Sequence, residues 1–407
     1  MNNSFLIDAE HRYKAELFDR VVPFWLEISQ DEKHGGYFSC LTRKGEVYDT
    51  DKFIWLQSRQ VWLFSMLCNR VDKRSDWLEC AEQGARFLLK NGHDGEYNWY
   101  FSLDREGRPL IQPYNIFTYT FAAMAFGQLH LATGEQIYAD ATLKTWKRIL
   151  DRRDNPKGQW NKSVPGTRRL KNFALPMILS NLALEIEHLL DPEEVSGITE
   201  EVIREVMKTF YRPDLDLVVE NVTEENELHN SFDGRLITPG HAIEAMWFMM
   251  DLSESLNRPE LSEKAVRLAI RMLEYGWDRE YGGIYYFLDR EGHPPQQLEW
   301  SQKLWWVHIE VLVALLKGYR LTGSKECLKW FKTVDRYCWE NFRDPEYAEW
   351  FGYRNRKGDL NLSLKGGKWK GCFHVPRGLF QCWNTLQKIN KSSGPEPSPE
   401  HGSASPN

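Results

Sequence analysis

The 407-residue chain has no surplus of positive charge: 52 Lys and Arg stand against 58 Asp and Glu, a formal net charge of −6. That argues against nucleic acid or an anionic membrane as its main partner, since both need a basic surface. No apolar run approaches the roughly 18 residues of a membrane span. The opening MNNSFLIDAEHRYK lacks the apolar centre of a secretory signal. The seven cysteines are odd in number and form no CxxC pair, which suits reduced thiols and a cytoplasmic location. Neither HExxH nor a thiolate cluster is present, so no metal is expected. Without a Walker GxxxxGK[ST] or a GxGxxG after a strand, redox and ATP-hydrolysing chemistries lack support. What the chain has in quantity is aromatic: 17 Trp, 17 Tyr and 21 Phe, enough for a core and for the flat walls that a sugar site uses.

An aromatic strand, a charged turn and a second strand recur along the chain. The copies are GGYFSCLTRKGEVY at 35–48, NWYFSLDREGRPL at 98–110, LVVENVTEENELH at 217–229, GGIYYFLDREGHPP at 282–295 and EWFGYRNRKGDLNL at 349–362. Their turn residues are Gly45, Gly107, Asn226, Gly292 and Gly358, with Gly166 where a degenerate sixth copy belongs. Each unit has a charged, amphipathic segment before the hairpin: 9–29, 75–90, 135–153, 192–211, 259–275 and 324–342. After it comes a segment apolar nearly all round, such as FIWLQSRQVWLFSML or LWWVHIEVLVALL. Charged helices face solvent and apolar ones are buried. Six outer and six inner helices in alternation predict an all-α (α/α)6 barrel with its hairpins at one end. This gives one domain over residues 1–391, and a tail from 392 with too little apolar content to fold.

Residues shortly after each turn should enter the inner helices at the barrel mouth. Those positions carry Arg59, Ser180 and Asn181, His241, Trp306 and His374. His241, in TPGHAIEAMW, shares a helical face with Glu244 three residues on, which could orient it. Arg59 and Glu310 are charges in apolar surroundings. Either they form a buried ion pair or they belong to a site. Glu299 and Lys303 read as an i,i+4 helical pair. His241, Glu244, His308 and Glu310 could bind zinc only without a recognised motif, and Cys372 beside His374 reads better as a small buried residue than as a nucleophile. The loop 155–163 offers Lys157 and Lys162 to a phosphate or to solvent.

The stretches DTDKFIWLQSRQVW, TPGHAIEAMWFMMD, PPQQLEWSQKLWWVHIE, DPEYAEWFGY and LKGGKWKGCFHVPR resemble the N-acylglucosamine 2-epimerase family, also called renin-binding protein, over residues 15–389. Their wording is closer to bacterial than to mammalian members. The resemblance implies an (α/α)6 barrel, commonly a homodimer, that interconverts N-acetylglucosamine and N-acetylmannosamine without a consumed cofactor. It implies ATP as an activator, with Lys157 and Lys162 in the nucleotide region. The acid/base pair falls on His241 and His374, the essential arginine on Arg59 and the site carboxylate on Glu310. Glu244 matches a cavity position, and Asn181, Lys303 and Trp306 complete the candidate substrate contacts. Cellobiose 2-epimerases and mannose isomerases share the barrel and are the alternative. A glycoside hydrolase would need two carboxylates across one bond, and a protein-binding module would need no polar centre at all.

Overall fold

The computed structural model describes residues 2–392 except 163, 165 and 166. The first outer helix, α1, is assembled from Asn2–Ala15, a π-helical stretch Glu16–Val21 and Val22–Ile28. The inner helix α2 (Ile54–Arg70) and outer α3 (Ser75–Asn91) follow. The alternation continues through α4 (Ile116–Thr133) and α5 (Gln136–Arg152). Next come α6 (Ala174–Ile186) and α7 (Pro192–Arg204, extended by the π turn Glu205–Thr209). The last helices are α8 (Pro239–Ser255), α9 (Pro259–Gly276), α10 (Trp305–Thr322), α11 (Lys325–Asn341) and α12 (His374–Ser392). Even-numbered helices form the inner ring and odd-numbered ones the outer, so the expected (α/α)6 barrel is found.

Local sequence explains the boundaries. Pro192, Pro239 and Pro259 each open a helix, where their missing N–H costs nothing. Gly134 and Gly323 close α4 and α10 in the left-handed conformation. On α9 the buried residues Leu261, Ala265, Leu268, Ala269 and Met272 recur at spacings of three and four, one stripe against the core. On α10 every residue from Trp305 to Gly318 is buried, as an inner helix requires.

The five clear hairpins share one turn. Gly45, Gly107, Asn226, Gly292 and Gly358 all have positive φ, between 66° and 95°. Each donates its N–H to the carbonyl three residues back, at 3.0–3.1 Å. The strand leading into an inner helix pairs with the hairpin of the following unit: Lys52–Phe53 with Ser102–Leu103, Leu236–Ile237 with Leu288–Asp289, and Lys303–Leu304 with Tyr353–Arg354. The degenerate unit keeps this pairing. Gly166 lies outside the described residues, and Leu170–Asn172 pairs with Asn221–Thr223 of the next unit.

Three polar latches reinforce this interlocking. Lys52 meets Asp31 at 3.0 Å and Arg105, from the next hairpin, meets it at 3.0 Å. Lys303 and Arg356 hold Asp278 in the same way, at 3.1 and 3.0 Å. Lys365 and Arg43 hold Asp344, at 2.8 and 2.7 Å. The third latch joins the last unit to the first, and there Lys365 also donates its backbone N–H to Leu41. On the outer ring, Arg12 of α1 pairs with Asp335 of α11 at 2.7 Å. Glu16, turned inward at the π stretch, accepts from Arg343 and Trp350.

Two sequence expectations change here. Residues 299–302 form a turn and not a helix, so Glu299 and Lys303 are no helical pair. α12 continues to Ser392, one residue into the expected tail, whose remainder lies outside the described residues.

Candidate active site

The hairpin end of the barrel gathers the N-termini of the inner helices. His374 is the first residue of α12, Trp306 the second of α10 and His241 the third of α8. Gly240 lets α8 begin against Trp306, for a Cβ there would lie 2.7 Å from the indole edge. The Trp306 ring stands 5.4 Å from the His241 ring and 5.7 Å from the His374 ring, a wall shared by both imidazoles.

Each histidine is held through Nδ1 by a carboxylate. His374 lies 2.8 Å from Glu310 Oε1, and His241 lies 3.1 Å from Glu220 Oε1. Each Nδ1 thereby carries the proton of that bond, which leaves Nε2 for chemistry. Glu244 had been expected to orient His241, but Glu220 does so. Glu244 turns instead to Arg377, whose Nη2 donates both to it and to Glu310, the latter at 2.6 Å. Trp247 donates to the other Glu310 oxygen at 2.9 Å. Glu310 is thus fixed on three sides, by His374, Arg377 and Trp247.

The two imidazoles are pushed in opposite directions. Burial alone would depress His241, but the Glu220 carboxylate outweighs it and holds His241 above the usual histidine range. His374 is pushed well below that range, first by burial and then by the nearby cationic Arg59. One imidazole therefore favours the protonated state and the other the neutral state.

Arg59, on the second turn of α2, makes no buried ion pair with Glu310 or Glu244, because Arg377 engages both. Its guanidinium lies against the rings of Phe121, Trp55 and Phe373, at 3.9, 4.3 and 4.4 Å. Its Nε is buried without a hydrogen-bond partner, and no carboxylate pairs with it among the described residues. Burial drives its pKa well down, and the charge of Arg377 adds to this. A cation kept this dry suits an anion that forms only during reaction.

Other sequence candidates lie elsewhere. Lys303 is fully buried in the latch with Asp278, away from this cluster, because its strand faces the neighbouring hairpin. Asn181 points to a cavity of about 300 Å³ among the C-terminal turns of the inner helices, at the opposite end of the barrel. Lys157 and Lys162 are exposed on their loop. His308 is a packed core residue, accepting from Ile284 N–H at 2.9 Å, and burial pushes it down to about 3. Burial likewise drives the Cys372 thiol far up, which removes its nucleophilic character. Glu244, Glu310 and His374 do lie close enough together to hold an ion, but the Arg377 guanidinium already bonds both carboxylates.

Arg377 and Glu220 escaped the sequence reading. Arg377 had a signal, since it is a lone charge in HVPRGLFQCW one turn after His374. Glu220 stands among the apolar residues of LVVENV.

A family model described as N-acylglucosamine 2-epimerase matches residues 36–376. The N-acylglucosamine 2-epimerase of Bos taurus is 38% identical over 92% of this chain and 90% of its own length. The Homo sapiens enzyme of that name is 37% identical over 93% and 90%. These relatives are mammalian and give no support to the expected bacterial character. Among solved structures, cellobiose 2-epimerase from Spirochaeta thermophila superposes with a TM-score of 0.79 at 22% identity, covering 95% of this chain and 98% of its own, a likeness of fold.

Proposed function

The chain belongs to the N-acylglucosamine 2-epimerase family, and on that premise we propose that it interconverts N-acetylglucosamine and N-acetylmannosamine by moving a proton at C2. The pyranose opens to expose the C1 aldehyde, which acidifies the C2 proton. His374, neutral, takes that proton through Nε2, while Glu310 stabilises the imidazolium that results. The electron pair of the C2–H bond passes into the C1 carbonyl as an enolate, whose oxygen Arg59 faces as a fixed cation. His241, protonated through the influence of Glu220, delivers a proton to the opposite face of C2. The reverse direction exchanges the two roles. Positioned proton transfer contributes about 10²–10⁴-fold, and charge stabilisation and orientation supply the remainder.

The observation that carries this reading is the pair of histidines, each anchored through Nδ1, biased to opposite protonation states beside one indole. A glycoside hydrolase on this barrel would leave that pair without a task, and Glu244 and Glu310 are both committed to Arg377. The test is to run N-acetylmannosamine to N-acetylglucosamine in D2O and read C2 by NMR. Deuterium at C2 is expected from wild type, and His241→Asn and His374→Asn should each stop inversion. Full activity in both variants would sink the mechanism.

The same reading includes a cytoplasmic homodimer whose catalytic unit is residues 1–391, with ATP as an activator that is not consumed. The seven free, buried cysteines accord with a reducing compartment. Lys157 and Lys162 present exposed charge for phosphates, and no step of the chemistry passes through the nucleotide.

A further inference from the structure

The far end of the barrel carries a cavity of about 300 Å³, within the size range of small-molecule sites. Its wall is built by the last turns of the inner helices. Gln381 and Thr385 line it and are more than nine-tenths buried, yet neither side chain makes a hydrogen bond among the described residues. The half-buried Asn181 and Asn384 line it as well, their side chains also without a hydrogen bond among the described residues. Three amides and a hydroxyl thus converge on one cavity with their hydrogen-bonding groups free for an occupant. Amides offer donors and acceptors side by side, the pattern that a row of hydroxyl groups answers. Around the rim, Arg70–Glu185, Lys317–Asp251 and Arg320–Glu254 neutralise one another, and Lys388 alone is a cation without an ion pair among the described residues. The cavity reaches the barrel centre, where Arg377 and Trp247 form part of its lining.

We propose that this rear cavity is a second binding site, for a small polyhydroxylated molecule of monosaccharide size, its hydroxyls bonded to Asn181, Gln381, Asn384 and Thr385. The molecule would meet Arg377 and Trp247 from the side opposite Glu310, so the two ends of the barrel would share these residues.

The test is calorimetric titration of the full chain with sorbitol and with gluconate. Both carry the hydroxyl pattern, and neither has an aldehyde to epimerise. Only gluconate offers an anion to Lys388, so the stronger of the two tells a neutral from an acidic occupant. Saturable binding of at least one, weakened ten-fold or more in Gln381→Leu and Asn384→Leu, is the expected result. N-acetylmannosamine turnover should persist in both variants. No binding of either probe, or equal affinity in wild type and both variants, would overturn the proposal. Loss of turnover together with binding in correctly folded variants would also overturn it, by showing a single site. Binding lost in the variants of a wild type that epimerises nothing would uphold the rear site and reject the epimerase reading.

Discussion

A buried arginine and a buried glutamate have different tasks here, and mutation should separate them. Arg59 stacks on three rings but pairs with no carboxylate among the described residues, so Arg59→Ala loses contacts worth about 1 kcal/mol each and is relieved of a desolvated charge. We expect turnover to fall about 10²–10³-fold with little change in the thermal midpoint, and unfolding at ambient temperature would contradict this. Glu310→Ala strands Arg377, Trp247 and His374 together, and should cost about 3 kcal/mol or more in denaturant titration as well as activity. Glu220 sets the protonation of His241. Glu220→Gln should therefore lower the His241 pKa and bring the alkaline limb of kcat/KM down with it, in the direction that uses His241 as acid. An unmoved limb would mean that Glu220 merely packs. At this scale the sequence reading singled out Arg59, His241 and His374 by their place after the hairpin turns, and Glu310 as a carboxylate in an apolar stretch. It missed the pairings, since Glu220 is 21 residues from His241 and Arg377 is 133 from Glu244, separations that no local pattern encodes.

Helices and hairpins were legible because their causes are local. Apolar periodicity marks a helix, and a glycine or asparagine at a positive φ marks a turn, so the outer segments agree with the structure nearly to the residue. The exception, the start of α1, was read at residue 9 in place of Asn2. The latches between elements were not legible, for each needs an aspartate, a lysine from the following strand and an arginine from another unit. Lys303 shows the consequence: in sequence it resembles a substrate contact or a surface ion pair, and in the fold it is a buried tie. Burial pushes its ammonium down to about 8, although Asp278 pulls the other way. Asp278→Asn leaves that ammonium buried and only neutrally partnered, and should cost about 3 kcal/mol in urea unfolding. Adding Lys303→Met should return a measurable part of the loss. If the double variant is the sum of its singles, the latch is not coupled as described.

The whole molecule depends on its closure, and the latch aspartates give that closure a pH dependence. Burial alone would raise the Asp31 pKa, but Arg105 and Lys52 hold it at about 2, below the unfolded value of about 3.9. A carboxylate depressed in the folded state stabilises it above the unfolded pKa, and that contribution is lost as pH falls through the folded one. Stability should therefore drop between about pH 4 and pH 2, and Asp31→Asn, less stable at pH 6, should show a shallower slope across that window. A slope equal to that of wild type would exclude Asp31 as a source. The six-unit architecture followed from counting turns. How the last unit meets the first did not, because Arg12 and Asp335 or Arg43 and Asp344 are joined only when the circle is complete. That join also erases the distinction between beginning and end: α1 packs on α12, and Asn390 bonds Glu10 at 2.7 Å. A circle of units has an order but no origin. A permuted gene that links residue 392 to residue 2 and opens new termini at the exposed Gly292 turn should encode the same enzyme with the same histidines in place.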